Sequence, residues 1–353
     1  MTDERTPRGD FYSDDDRAFR GTLEACFARS WQWTGVTERL ARDGDFAPIE
    51  HCERTPIAEP LVLWRDRDTV VARSNVCTHR GALIATRSGC SRALRCPYHG
   101  RKFAPDGSVL AAPGFEGAPG FPSRRDRLAG ASVDFVGPLS FAAIDPAVSF
   151  DRWSEELRAY TGHLPWGALA YDPSSARDYE LDAHWALYCE NYLEGLHVPY
   201  VHRGLAQAIG LDDYRAEALE YGAIQVAYPR DEREPTMAPA ARDAAGREVA
   251  AYYVFLFPNT MVNVYPWGIS LNVVDPIAPR RTRIRFRSWV WDESLLDLGA
   301  GASLDAVELE DEAIIRSVQR GVTARLYPGG RYSPRHERGV QRFHELVRES
   351  SRA

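Results

Sequence analysis

The chain has 353 residues, 44% hydrophobic and 26% charged, an ordinary globular balance with length enough for two domains. Its 43 Lys and Arg against 50 Asp and Glu leave a net charge of −7, which argues against a whole-protein attraction to nucleic acid or acidic lipid, although Arg-rich stretches such as Arg280–Arg287 leave room for local basic patches. No apolar run reaches the roughly 18–20 residues of a membrane span, and the polar, acidic N-terminus lacks the layout of a secretory signal.

The expected compartment is therefore the cytoplasm, with neither membrane nor nucleic acid as partner. In that reducing setting the six cysteines are expected as thiols or metal ligands, not as disulfides.

In chain order, the first 20 residues are charged and expected to be partly disordered, and Gly21–Trp33 reads as an amphipathic entry helix. From Phe46 to about Ala143 short apolar runs such as Leu61–Trp64 and Thr69–Asn75 are split by turn residues, with hairpin turns expected at Asp66–Asp68 and at Asp106–Gly107. The pattern changes around Asp145–Trp166. Trp185–Leu196 predicts a helix that Pro199 interrupts. The stretch from Arg230 to Val249 reads as a surface loop or lid. Tyr252–Val274 and Arg281–Trp291 alternate as strands, the latter with Ile284, Phe286 and Val290 on one face, and Leu304–Leu326 reads as one long helix. These changes predict an N-terminal segment with its entry helix over 1–44, a small antiparallel β domain over 45–160 and a second domain over 161–353. Together they make an α+β protein in which a sheet is closed over by a long C-terminal helix.

Two groups of residues carry chemistry. The first is Cys77-Thr78-His79, followed after sixteen residues by Cys96-Pro97-Tyr98-His99. Each half brings one thiolate and one imidazole to a tight loop. Two thiolates suit one ferric iron and two imidazoles the other, more reducible one, as in a [2Fe–2S] cluster with mixed ligation. A zinc finger groups its cysteines in one half and its histidines in the other, and a structural zinc site is the alternative here.

CTHRGA with CPYHG resembles the Rieske family. The respiratory branch of that family has a further cysteine in each loop, where this chain has Ala82 and Tyr98, so the resemblance is to the Rieske domain of oxygenases. One departure is Arg101, where many oxygenases have Trp.

The second group is Glu190-Asn-Tyr-Leu-Glu194-Gly-Leu-His197-Val-Pro-Tyr-Val-His202. Glu190, Glu194 and His197 are spaced to share one helix face. By itself this reads more readily as a polar helix face beside an ordinary loop. Two histidines and a carboxylate on one triangular face would leave positions open for O2 and substrate. Downstream of a Rieske motif it resembles the acid-x2-His-x4-His pattern of Rieske-type non-haem iron oxygenases.

That resemblance implies His197 and His202 as ligands of a mononuclear Fe(II), and Glu194 as an acid bridging the second cluster histidine, His99, of one subunit to His197 of the next. Among Glu308, Glu310, Asp311 and Glu312, the acid before Val318-Gln319-Arg320-Gly321 matches the third ligand at Asp311, with Glu308 in reserve. It also implies a helix-grip catalytic domain, a homotrimer, and NAD(P)H electrons delivered by a separate flavin or iron–sulfur reductase, with or without a ferredoxin. The chain has no dinucleotide-binding fingerprint of its own.

Glu rather than Asp at position 194, and the short chain, resemble the branch acting on choline, carnitine and betaine-like amines, while the wording Asn191–His202 also resembles ring-hydroxylating enzymes. A quaternary or N-methylated amine is therefore the expected substrate, ahead of an aromatic or natural product. An electron-transfer protein without oxygenase activity is the reading from another class. Tyr265 and Trp267, in the aromatic strand region, are expected to line the substrate pocket. His184, His336, His344 and Cys189 are expected to pack rather than ligate.

Overall fold

The computed structural model describes residues 5–352 apart from 37–39, 210–213, 238–242, 244 and 303. Contacts divide the chain into two compact units, Phe27–Phe150, and Met1–Cys26 together with Asp151–Ala353. The entry helix α1 spans Asp16–Cys26, earlier than its expected place, because its apolar positions Phe19, Leu23 and Cys26 already repeat one face and are buried there. Gln32–Trp33, expected within that helix, is instead a short strand, β1.

The Phe27–Phe150 unit continues with β2 (Asp45–His51), β3 (Glu59–Asp66), β4 (Thr69–Ser74), β5 (Gly89–Cys90), β6 (Leu94–Arg95), β7 (Lys102–Phe103), β8 (Val109–Ala111), β9 (Gly130–Val136) and β10 (Leu139–Ala143). These form a seven-stranded antiparallel sheet in the order β1-β10-β9-β4-β3-β2-β5 and a three-stranded one, β6-β7-β8. The hairpin β3–β4 turns through Arg67 at φ 54° and pairs Asp66 with Thr69, as the charged turn residues predict. Val62, Trp64, Ile84, Leu94 and Phe103 make its core together with Cys77 and Cys96.

The second unit holds α2 (from Phe150 to Thr161), β11 (Ala170–Leu181), α3 (Trp185–Tyr192), α4 (Val198–Val201), α5 (Leu205–Ala208), β12 (Arg215–Leu219), β13 (Gly222–Ala227), β14 (Ala251–Leu256), β15 (Thr260–Tyr265), β16 (Gly268–Ala278), β17 (Arg281–Val290), α6 (Leu304–Val322) and α7 (Arg338–Ser350). Its antiparallel sheet runs β11-β17-β16-β15-β14-β13-β12. Strands β13 and β15 are buried at every position, as strands covered on both faces must be.

Two expectations change here. The helix expected over Trp185–Leu196 stops at Tyr192, and Pro199 opens α4 instead of ending α3, since a proline in a first helical turn loses no hydrogen bond. The helix that packs on β12 and β13 is α7, beyond the expected end of helical structure at Leu326. Helix α6 packs on α3, and its buried stripe is unusually polar: Glu308, Glu312, Ile315 and Gln319. Of the expected loop or lid at Arg230–Val249, residues 238–242 and 244 lie outside the described residues. Among the described residues no helix is long and apolar enough to cross a membrane.

Candidate metal centres

In the first unit two matching loops carry the cysteine and histidine pairs. Cys77 N–H donates to the Ala82 carbonyl (2.9 Å) and Gly81 N–H to that of Cys77 (3.0 Å), while Cys96 N–H donates to Arg101 (2.8 Å) and Gly100 N–H to Cys96 (3.1 Å). Gly81 and Gly100 close the loops at φ 72° and 75°, where a side chain would be strained. Both thiols are buried within hydrogen-bonding reach of each other, and the imidazoles of His79 and His99 lie 4.7 Å apart at the rim, with Tyr98 stacked on His99. Two inward thiols and two outer imidazoles are a donor set that fits a [2Fe–2S] cluster.

In the second unit, His197, His202 and Asp311 each offer an atom within 4.8 Å of the others. Asp311 Oδ1 is 2.9 Å from His202 Nε2 and 3.6 Å from His197 Nε2. An edge of about 3 Å is what two ligands about 2.1 Å from one ion make at right angles, so the three fit a single metal.

The far sides of the rings explain their aim. His197 Nδ1 donates to Glu194 Oε1 at 2.6 Å and His202 Nδ1 to Glu310 Oε2 at 2.7 Å, so both Nε2 lone pairs are left for a metal. Asn191 Nδ2 donates to Asp311 Oδ1 at 2.6 Å and turns that carboxylate inward. Burial acts to lower the His202 imidazole, but Asp311 and Glu310 outweigh it and hold it above its ordinary value.

Glu310 and Asn191 were not singled out for these roles from sequence. Glu310 was visible only as one of a run of acids, and Asn191 carried no spacing signal. Glu308, the reserve ligand, is tied elsewhere. Tyr188 OH donates to its Oε2 at 2.5 Å, and burial, with Asp311 and Glu312 nearby, pushes its carboxyl up to about 8. Glu190, expected on the face of Glu194 and His197, points away to Tyr12 and His344, because the helix has ended between them.

Beside the three ligating groups lies a cavity of about 110 Å³. Tyr192, Tyr214, Tyr253, Tyr265 and Phe286 form its aromatic wall, and Gln225, Asn263, Ser270 and Asn272 its polar side. Burial pushes the hydroxyls of Tyr192, Tyr214, Tyr253 and Tyr265 above the ordinary phenol value, so they stay uncharged. No Arg or Lys lines the cavity among the described residues. Trp267 is not in this wall. It is buried behind Tyr265, stacked on it at 5.2 Å. His184 caps α3 and Cys189 is a buried thiol.

Residues 169–352 match the family described as the ring hydroxylating alpha subunit (catalytic domain), and residues 30–122 match the Rieske [2Fe-2S] domain. The chain belongs to the Rieske-type ring-hydroxylating oxygenases. The oxygenase is 30% identical to choline monooxygenase, chloroplastic, of Arabidopsis thaliana, over 97% of this chain and 82% of that protein. It is 28% identical to the carnitine monooxygenase oxygenase subunit of Escherichia coli K12, over 96% of this chain and 91% of the relative. A solved quaternary ammonium Rieske monooxygenase, described for carnitine oxidation and inter-subunit electron transfer, shares the fold at TM-score 0.76 and 22% identity, covering 98% of this chain and 95% of that one. The oxygenase is thus an oxidoreductase with a [2Fe–2S] cluster and a mononuclear non-haem iron, and it depends on a partner for electrons.

Proposed function

We propose that the oxygenase hydroxylates, or oxidatively N-demethylates, a small quaternary or N-methylated amine. The observation that carries this reading is the cavity: tyrosine faces and oxygen acceptors surround it, Glu194 and Asp311 add negative charge, and among the described residues no Arg or Lys lines it to oppose a positive head group. Aromatic faces and acceptors attract an ammonium without needing to hydrogen-bond it. The choline and carnitine relatives support the same substrate class.

In this reading Cys77, His79, Cys96 and His99 hold the cluster, and His197, His202 and Asp311 hold the iron. When bound, the cluster would supply single electrons and the iron would provide the site for O2 activation. Glu194 and Glu310 orient the two histidines, Asn191 orients Asp311, and the tyrosine wall keeps the substrate head beside the ligands and out of water. Glu194 is the acid that links His197 to His99 of another copy, which makes a homotrimer the working form. The inter-subunit transfer described for the solved monooxygenase supports this. A cytoplasmic setting, a separate NAD(P)H-dependent reductase and a helix-grip description of the catalytic sheet with its packed helices complete the proposal.

The test compares choline-type amines with neutral isosteres in which a tert-butyl group replaces the trimethylammonium, using a surrogate reductase and product mass. Losing the charge is expected to weaken binding about five- to thirtyfold, from the ~1–2 kcal/mol of desolvated cation–π contact. Equal binding of the neutral isosteres, or turnover confined to neutral aromatics, would overturn the substrate class.

A further inference from the structure

Arg101 follows the second cluster loop by two residues, yet its side chain does not reach solvent; the residue is 2% exposed. Its carbonyl accepts the Cys96 N–H at 2.8 Å, closing the second loop. Its guanidinium crosses to the first loop, where Nη1 donates to Thr78 Oγ1 at 3.1 Å, between Cys77 and His79. The rings of Phe115 and Phe121 lie 4.6 and 4.9 Å from the guanidinium carbon. Asp126 Oδ1 is 3.7 Å away, beyond hydrogen-bond length, and Asp126 is itself bonded to Ser123 N–H and Oγ at 2.7 and 2.8 Å. Nε is buried with no hydrogen-bond acceptor among the described residues.

A buried cation with so loose a counter-charge is costly unless something else nearby becomes negative. A cluster of two ferric irons, two sulfides and two thiolates carries no net charge. One electron, delivered by the reductase, converts one ferric iron to ferrous and leaves a single negative charge, with no bond made or broken.

We propose that Arg101 sets the potential of this cluster upward: its buried charge stabilises the reduced state while its fork holds the two ligand loops together. This rests on the assignment of Cys77, His79, Cys96 and His99 as cluster ligands. Electrostatic tuning of such centres follows from net charge, hydrogen bonding and burial around them.

The test is a redox titration of the purified full-length holoprotein, read by cluster absorption and electron paramagnetic resonance. Arg101→Gln is expected to shift the reduction equilibrium at least tenfold toward the oxidised form, about 59 mV downward for one electron. Arg101→Lys keeps the charge and is expected to retain most of the wild-type potential. Asp126→Asn removes the opposing charge and is expected to move the potential upward. An unchanged potential in Arg101→Gln overturns the proposal, and so does a fall in Arg101→Lys as large as in Arg101→Gln. If Arg101→Gln loads no cluster, the other two decide: a fall of about 59 mV or more in Arg101→Lys, or no rise in Asp126→Asn, overturns it. No Rieske signal in the wild type would instead overturn the ligand assignment beneath it.

Discussion

At the scale of single residues, the centre depends on what stands behind the ligands. Glu194 spends one oxygen on the His197 ring and the other on the backbone N–H groups of Leu196 and His197. Glu194→Gln keeps the size but sets an amide N–H against a donor, so one of these bonds fails, a loss of about 1.5–3 kcal/mol for a charged acceptor. Both metals are expected to stay bound and the cluster to be reduced normally, because no ligand is removed. Single-turnover reoxidation of the cluster, with substrate and O2 present, is expected to slow at least tenfold, within the roughly 10–100-fold that such supporting residues command. Normal reoxidation would sink the bridging role, and loss of the iron would make Glu194 a ligand. The partners on the other side, Glu310 and Asn191, show why sequence stops short here. Spacing along one helix reveals which residues share a face, but not which residue of a distant helix meets them.

At the scale of elements, helix α3 begins on an unusual cap. His184 Nδ1 accepts the Ala186 N–H at 3.3 Å, its backbone N–H donates to Gln319, and the rings of Phe11, Tyr12 and Trp185 surround it. Burial pushes its imidazole down to about 3. The unfolded chain takes up this proton near pH 6.5, while the folded chain refuses it until about pH 3. Stability is therefore lost as pH falls through that window and is untouched above it. His184→Asn keeps a capping acceptor and cannot titrate. Its melting temperature is expected to drop less than that of the wild type between pH 7.5 and 5.5, by a difference worth about 1 kcal/mol. His51, also pushed down by burial, to about 4, keeps some acid sensitivity in both proteins. Equal acid sensitivity would mean that His184 is protonated in place.

The same helix marks the limit of periodicity as a guide. The spacing of Glu190, Glu194 and His197 is helical, but Gly195 sits against Tyr214, where an added Cβ would lie 2.7 Å from the ring, and the chain leaves α3 before Glu194. Helix α7 is the opposite case. Val340, Phe343, His344 and Val347 repeat at helical intervals and are buried, so that element was legible and simply not claimed. The cluster loops and the strand-rich first unit were readable because short spacings and turn glycines bring them together locally, whereas His197, His202 and Asp311 were singled out only by the family resemblance, Asp311 being 109 residues from His202.

At the scale of the whole molecule, each donor set lies inside one compact unit: Cys77 to His99 within Phe27–Phe150, and His197, His202 and Asp311 within the other. The expected domain limits of 45–160 and 161–353 differ from these units chiefly at the N-terminus, because α1 packs on α7 and so sits with the C-terminal part. Metal binding contributes to folding where its ligands are. Loss of one metal should then be felt in its own unit. His197→Ala removes one imidazole from the mononuclear site and touches nothing in the cluster loops. Iron analysis is expected to fall by about one of about three irons per chain, while the absorption and paramagnetic signal of the reduced cluster stay as in the wild type. Cys77→Ser is expected to do the converse, bleaching the cluster and leaving about one iron bound. If His197→Ala empties both sites, the two metals do not load independently, and the division of the chain into two compact units would not describe how it acquires its metals.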